Sequence, residues 1–177
     1  LLDTLITSKT RVKLLLKFFL NSNSSSYLRG LEQEFGESTN AIRLELNRFE
    51  QAGLLTSDTR GNRKYFRANT SHPLYHDIHN ILLKYIGFDQ IIEKIINKLG
   101  EMDRVYVTGN FARGTDSRII DLVFIGNRIN KDYLMHLVEK CEELINRKIR
   151  YLVFDNGNYR EYLKEYRDSE LLLLWKR

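Results

Sequence analysis

With 177 residues, 42% of them hydrophobic and 11% aromatic, the chain has material for two small domains, each able to bury a core. No apolar run approaches the roughly 20 residues of a membrane span, no signal-peptide pattern opens the chain at Leu1, and the lone Cys141 excludes an internal disulfide and suits a reducing, cytoplasmic setting. The net charge of +5 is uneven: residues 1–70 carry eleven Lys and Arg against seven Asp and Glu, whereas 71–177 carry seventeen against sixteen, so the N-terminal third is the part that favours polyanions.

In chain order, Thr7 or Ser8 caps a first helix whose apolar residues Val12, Leu15, Leu16 and Phe19 recur at helical spacing, and Asn21–Ser26 break it. A second helix starts at Tyr27 with the stripe Leu28, Leu31 and Phe35, and Gly36 stops it. Ser38 or Thr39 caps a third, with Ile42, Leu46 and Phe49 on one side and Gly53 as its close. Two short helices joined by a tight turn match the helix-turn-helix pattern, whose second helix reads the major groove from its N-terminal part. Asn40, Arg43 and Asn47 recur on the face away from the core. Arginine pairs with guanine and asparagine with adenine, so residue types and spacing agree. Taken alone, the solvated face of an amphipathic helix explains them better.

The next segment separates these alternatives. Two runs of strand character flank Arg60-Gly61-Asn62, and Gly-Asn is a hairpin turn signal. Arg60, Arg63, Lys64 and Arg67 place four cations on or near the hairpin, suited to clasping phosphates; protection of an edge strand explains one or two of them better than four. The order helix, helix, helix, hairpin, with Glu50-Gln51-Ala52-Gly53-Leu54-Leu55 before the hairpin, resembles the winged-helix transcriptional regulators, including the arsenical-repressor class, over residues 5–69. The resemblance implies double-stranded DNA as partner, a homodimer, and a DNA-binding set of Ser38, Thr39, Asn40, Arg43, Asn47, Arg60, Arg63, Lys64 and Arg67.

His72–Gly100 reads as a connecting helix interrupted at Gly87, with one stripe of Ile81, Leu82, Tyr85 and Ile86 and another of Ile91, Ile92, Ile95, Ile96 and Leu99. So much apolar surface needs a partner, either the C-terminal domain or a second copy; a homodimer is favoured because paired reading helices suit a two-fold symmetric operator. His72, His76 and His79 stand at i, i+4 and i+7, but Pro73 suits a first helical turn and leaves His72 at the cap. With no cysteine or acidic ligands at a clear spacing, no metal is expected.

The C-terminal part opens on Arg104-Val105-Tyr106-Val107-Thr108-Gly109-Asn110-Phe111-Ala112-Arg113-Gly114, followed by Ile119-Ile120-Asp121-Leu122-Val123. An apolar strand, a glycine turn, a helix start and a strand with one acid resemble the minimal nucleotidyltransferases of the polymerase-beta type over residues 103–155. In that family the turn is Gly-Ser, an Asp-x-Asp pair follows, and a later strand adds a third Asp, together holding two magnesium ions for phosphoryl transfer. Here the turn serine is Asn110, the first acid falls on Ile119, the second on Asp121, and the third on Arg150. Isoleucine and arginine cannot ligate Mg²⁺, and Asp116, five residues before Asp121, lies out of register. The resemblance therefore implies the fold without catalysis, and no cofactor. A residual pocket of Gly109, Asn110, Arg113 and Asp121 is expected to hold a phosphate or nucleotide effector through backbone amides and Arg113.

Further helices are expected around Tyr133–Ile145 and Tyr159–Tyr166, with strands at Ile149–Phe154 and, as a short buried strand, near Leu171–Trp175. The whole reads as α+β: a winged helix-turn-helix over 1–70, a connecting helix over 71–100 and an α/β nucleotidyltransferase-like domain of three to five strands over 101–177. The leading expectation is a DNA-binding transcriptional regulator that is not an enzyme. An active nucleotidyltransferase and an antitoxin-like protein-interaction module are the alternatives.

Overall fold

A computed structural model describes residues 2–177, which form two compact units, the first ending at Leu82 and the second running Leu83–Arg177. Each has helices and its own antiparallel or mixed sheet, so the chain is α+β. Among the described residues no helix is long and apolar enough to cross a membrane.

In the first unit a short helix, α1 (Leu2–Leu5), precedes α2 (Lys9–Leu15), whose cap is Ser8: its hydroxyl accepts the Arg11 N–H at 3.2 Å. The helix continues as a π turn over Leu16–Leu20, where the consecutive Phe18, Phe19 and Leu20 are all fully buried. Asn21–Ser26 is more than the break expected from its composition. Ser25–Tyr27 forms a strand, β1, and Tyr27 precedes rather than begins the helix α3 (Leu28–Phe35), of which only Leu31 is fully buried. Ser38 caps α4 (Thr39–Gln51) by accepting from the Ala41 N–H, and Ile42, Leu46 and Phe49 turn inward. Strands β2 (Leu55–Arg60) and β3 (Arg63–Ala68) pair with Arg60 opposite Arg63, which leaves Gly61-Asn62 as the two-residue turn that the sequence predicts. β1 adds to the far edge of β3, giving the order β1-β3-β2. Phe19 lies edge-on to Phe49 at 6.4 Å between ring centroids, tying α2 to α4.

The helix α5 (Tyr75–Ile86) ends at Gly87, whose φ of 98° stops it. The chain resumes as α6 (Phe88–Ile91), a π turn over Ile92–Ile96 and α7 (Asn97–Leu99). Ile91, Ile95 and Ile96 are buried, and this segment packs on α9 (Lys131–Ile145). The second apolar stripe thus finds its partner within the second unit.

That unit is a four-stranded sheet in the order β6-β5-β4-β7. β4 (Arg104–Thr108) leads through Gly109 into the single turn α8 (Gly109–Ala112) and then β5 (Ile119–Ile125), which lies antiparallel to β4 and parallel to β6 (Lys148–Phe154). β5 is central and covered on both faces, which explains its nearly unbroken apolar run. One face carries Val105, Val107, Ile120, Leu122 and Phe124; the other packs Val123 and Ile125 against Tyr159 of α10 (Tyr159–Leu163).

Two expectations are corrected here. The helix expected over Tyr159–Tyr166 ends at Leu163 and gives way to a 3₁₀ turn at Asp168–Glu170. The last strand, β7 (Leu172–Lys176), is not buried: it pairs only with β4, at the sheet edge, and Leu173 remains 47% exposed.

Candidate functional site

In the first unit, α3, α4 and the tip of the β2–β3 hairpin enclose an open groove of about 670 Å³. α3 contributes Arg29 and Gln33, α4 contributes Arg43 and Asn47, and the hairpin contributes Asn62, Arg63 and Lys64. The arrangement follows from the two periodicities. Ile42, Leu46 and Phe49 are fixed in the core, so Asn40, Arg43 and Asn47 must face out; Phe66 and Ala68 point inward from β3, so Arg63 and Arg67 lie on the opposite face.

Of the residues singled out from the sequence, the groove gathers Arg43, Asn47, Arg63 and Lys64. Ser38 is spent as a cap and Thr39 opens α4. Asn40 is exposed, but it and the hairpin cations Arg60 and Arg67 are not among the groove's lining residues. Arg60 is held by Asp58 at 2.6 Å, and Arg67 stands farther down β3, opposite Thr56 and Ser25. Arg29 and Gln33 were missed. They stand at i and i+4 on α3, away from buried Leu31, a signal the helix's amphipathic pattern already contained.

The charges in this unit are sorted. Its ion pairs among the described residues are Arg11–Glu45, Lys13–Glu37, Lys17–Glu34, Arg48–Glu45, Arg60–Asp58 and Lys64–Glu50. None involves Arg29, Arg43, Arg63 or Arg67. Arg63 instead stacks over the Tyr27 ring, 4.7 Å from its centroid, which fixes the guanidinium without neutralising it. Three arginines with no carboxylate partner thus line one groove.

The same helix α4 carries a buried acid the sequence did not disclose. Glu45, on the inner side of α4, is 6% exposed. Its carboxylate accepts from Arg11 Nε and Nη2 at 2.9 and 3.2 Å, from Arg48 Nη1 at 3.2 Å and from Ser8 Oγ at 3.3 Å. Burial pushes the carboxyl up, but the hydrogen bonds and charges of Arg11, Arg48 and Ser8 outweigh it and hold it below the ordinary carboxylate value. The network pins the start of α2 to the middle of α4 and so sets α4 in place. At the other end, Glu50 takes Lys64 Nζ at 2.7 Å and the Ser57 hydroxyl, tying the hairpin to the last turn of α4. The Lys64 hydrogen bond is the main reason the Glu50 carboxyl lies low.

His72, His76 and His79 do not converge. His72 Nδ1 accepts the Leu74 N–H, and His79 Nδ1 lies 2.8 Å from the Phe19 carbonyl. Among the described residues no three His, Cys, Asp or Glu side chains form a metal-ligand group.

The second unit has a pocket of about 550 Å³ at the end of β4 and β5, lined by Gly109, Arg113, Asp121, Arg150, Tyr162 and Glu170 among others. Asn110, expected in the pocket, is exposed and not among its lining residues; it accepts an Arg113 hydrogen bond at 3.4 Å. β5 and β6 run in register with Asp121 beside Arg150, and Arg150 Nε donates to Asp121 Oδ1 at 2.7 Å. A cation thus stands beside Asp121 on the neighbouring strand, at the position where the resemblance leads one to expect a third acid. Ile119 faces the same side as Asp121 by strand alternation and offers no oxygen. Asp116 lies before the strand and takes Arg147 at 2.9 Å. Glu170, held by Arg167 at 2.9 Å and 3.9 Å from Arg113, has its carboxyl driven down to about 2, chiefly by the Arg167 hydrogen bond. Gly109 is required by this packing: its φ is 66°, and a Cβ there would stand 2.4 Å from Asp121 Oδ2.

The chain matches no family model and no curated protein. Among solved structures it is similar to a "putative nucleotidyltransferase" from Sulfolobus solfataricus, at 26% identity over 55% of this chain and 83% of that one, with a TM-score of 0.38. A superposition that loose assigns neither fold nor activity.

Proposed function

We propose that this chain is a sequence-specific, duplex-DNA-binding transcriptional regulator of the winged helix-turn-helix kind, with α4 as the reading helix and the β2–β3 hairpin as the wing. The observation that carries the reading is the groove in which Arg29, Arg43 and Arg63 converge without a carboxylate partner, beside Gln33, Asn47 and Asn62. Arginines left uncompensated on one surface attract a polyanion, and the amide side chains between them suit the donor and acceptor pattern of base edges. In this reading Arg43 and Asn47 enter the major groove, Arg63 and Asn62 lie along the adjacent backbone, and Arg29 grips phosphate from the first helix of the pair. Two copies would bind a two-fold symmetric site.

The second unit fits a nucleotidyltransferase-like fold whose phosphoryl-transfer chemistry has given way to an ion pair, and it would serve dimerisation or sensing. The strand, glycine turn, single helical turn and antiparallel strand around Gly109 support that reading, as does the Arg150–Asp121 pair in the place of metal ligands. A phosphate or nucleotide effector would have to compete with Asp121 for Arg150 and with Glu170 for Arg113 and Arg167.

The test is a salt titration of binding to a labelled duplex. Each phosphate neutralised contributes about −0.9 to the slope of log K against log salt, so the unpaired arginines predict a slope of about −3 or steeper. Arg63→Ala should flatten it by about one contact. A slope near zero would exclude the groove as a DNA-binding surface.

A further inference from the structure

The middle of the exposed face of α4 is held by a hydrocarbon. Leu44 is 52% exposed, directly opposite the buried stripe of Ile42, Leu46 and Phe49. It sits one turn after Asn40 and one before Asn47, beside Arg43, so these four side chains form one ridge along the helix. A single exposed leucine on an ordinary surface means nothing. Here its neighbours on the ridge are hydrogen-bonding side chains, and the flanking groove carries Arg29, Arg43 and Arg63 with no carboxylate partner.

We propose that Leu44 is a specificity residue that reads thymine through its C5-methyl group, next to the base pairs met by Arg43 and Asn47. The proposal rests on the DNA-binding reading above. An α-helix seated in the major groove meets the base edges with the N-terminal part of its exposed face, and Leu44 is the sixth of the 13 residues of α4. Leucine offers those edges neither donor nor acceptor. Opposite the cytosine N4 amino group or guanine O6 it would strip water from a polar group and return nothing. Opposite thymine it meets the one apolar group that the major-groove edge presents. Leu44 therefore selects in both directions, by contact with the methyl and by penalty against polar edges. The basic groove alongside makes nucleic acid, rather than another protein, the occupant with the complementary charge.

The experiment is a thymine-to-uracil scan. The full chain selects its preferred duplex from a random pool, and each thymine of that duplex is then replaced singly by deoxyuridine, which removes only the C5-methyl. Wild type should lose about fourfold affinity at one thymine, or at a symmetry-related pair, the equivalent of about 0.8 kcal/mol for one buried methyl. Leu44→Ala, an exposed change to a good helix former, should bind the parent duplex about as weakly as wild type binds the uracil duplex, and should be indifferent to uracil at that position. Sequence-selective binding with no uracil-sensitive position overturns the proposal while leaving the DNA-binding reading intact. Equal sensitivity of both proteins overturns it as well, since another residue then touches the methyl. A flat scan together with a Leu44→Ala change in oligomeric state would place Leu44 at a contact between copies instead. If no sequence is selected at all, the DNA-binding reading fails and the proposal falls with it.

Discussion

Arginines dominate both sites of this molecule, and they are in opposite electrostatic states. In the α3–α4–hairpin groove, Arg29, Arg43 and Arg63 stand together with no carboxylate in ion-pair range among the described residues, and Arg63 lies over the Tyr27 ring. In the pocket beside Gly109, Arg150 is closed onto Asp121, and Arg167 and Arg113 gather around Glu170. The first surface retains a field for a partner to neutralise; the second has neutralised itself. Residue type therefore says little about which arginine binds an anion. The position of the nearest carboxylate says much more.

The comparison breaks if the two sets of arginines behave alike. Arg43→Ala should cost about 1–3 kcal/mol in affinity for the selected duplex and relax preference at one base pair, whereas Arg150→Ala should leave DNA affinity within twofold. Competition binding of both variants against wild type checks this.

A second prediction concerns the buried acid that holds α4 to α2. Glu45→Gln leaves Arg11 and Arg48 without their acceptor charge and should lower stability by about 1.5–3 kcal/mol in urea denaturation. The Glu45 carboxyl titrates below its ordinary value of 4.5 when folded. Its stabilisation is therefore complete above that value and is lost as the pH falls through the folded-state value. The gap between wild type and Glu45→Gln should hold at neutral pH and shrink in acid below 4.5; a gap that widens there would contradict the ion-pair account.

A smaller effect is expected in the second unit. Gly109→Ala meets both a positive φ and the Asp121 carboxylate, and should cost about 1–3 kcal/mol. Asp121→Ala alone should cost at most about 1 kcal/mol, because Arg150 is 68% exposed and the pair is partly screened. The double variant should recover part of the Gly109→Ala loss, since the atom that the new Cβ strikes is gone. Strict additivity would mean the backbone angle alone carries the cost.

Much of this was legible in the chain. The Ser8 and Ser38 caps, the Gly61-Asn62 hairpin and the inward stripe of α4 each rest on local chemistry that involves few residues. The placement of Arg150 beside Asp121 agrees with the resemblance, which set both residues at acid positions. What escaped was non-local. β1 is three residues of weak strand character that exist only because β3 lies beside them some forty positions later. Glu45 looked like a surface residue until Arg11, 34 positions earlier, folded against it. The Leu171–Trp175 run read as buried because it is apolar, but an edge strand keeps one side open whatever its composition. Pairing was the largest blind spot. The sequence shows four hairpin cations as equals, and the fold spends Arg60 on Asp58 and Lys64 on Glu50, leaving Arg63 and Arg67.

The most direct test of the central claim is to select duplexes from a random pool with wild type and Arg43→Ala in parallel at physiological salt, and to sequence what each retains. The account predicts one enriched motif for wild type and the same motif, degenerate at a single guanine, for Arg43→Ala. Identical motifs from both proteins, or no motif from wild type, would contradict it.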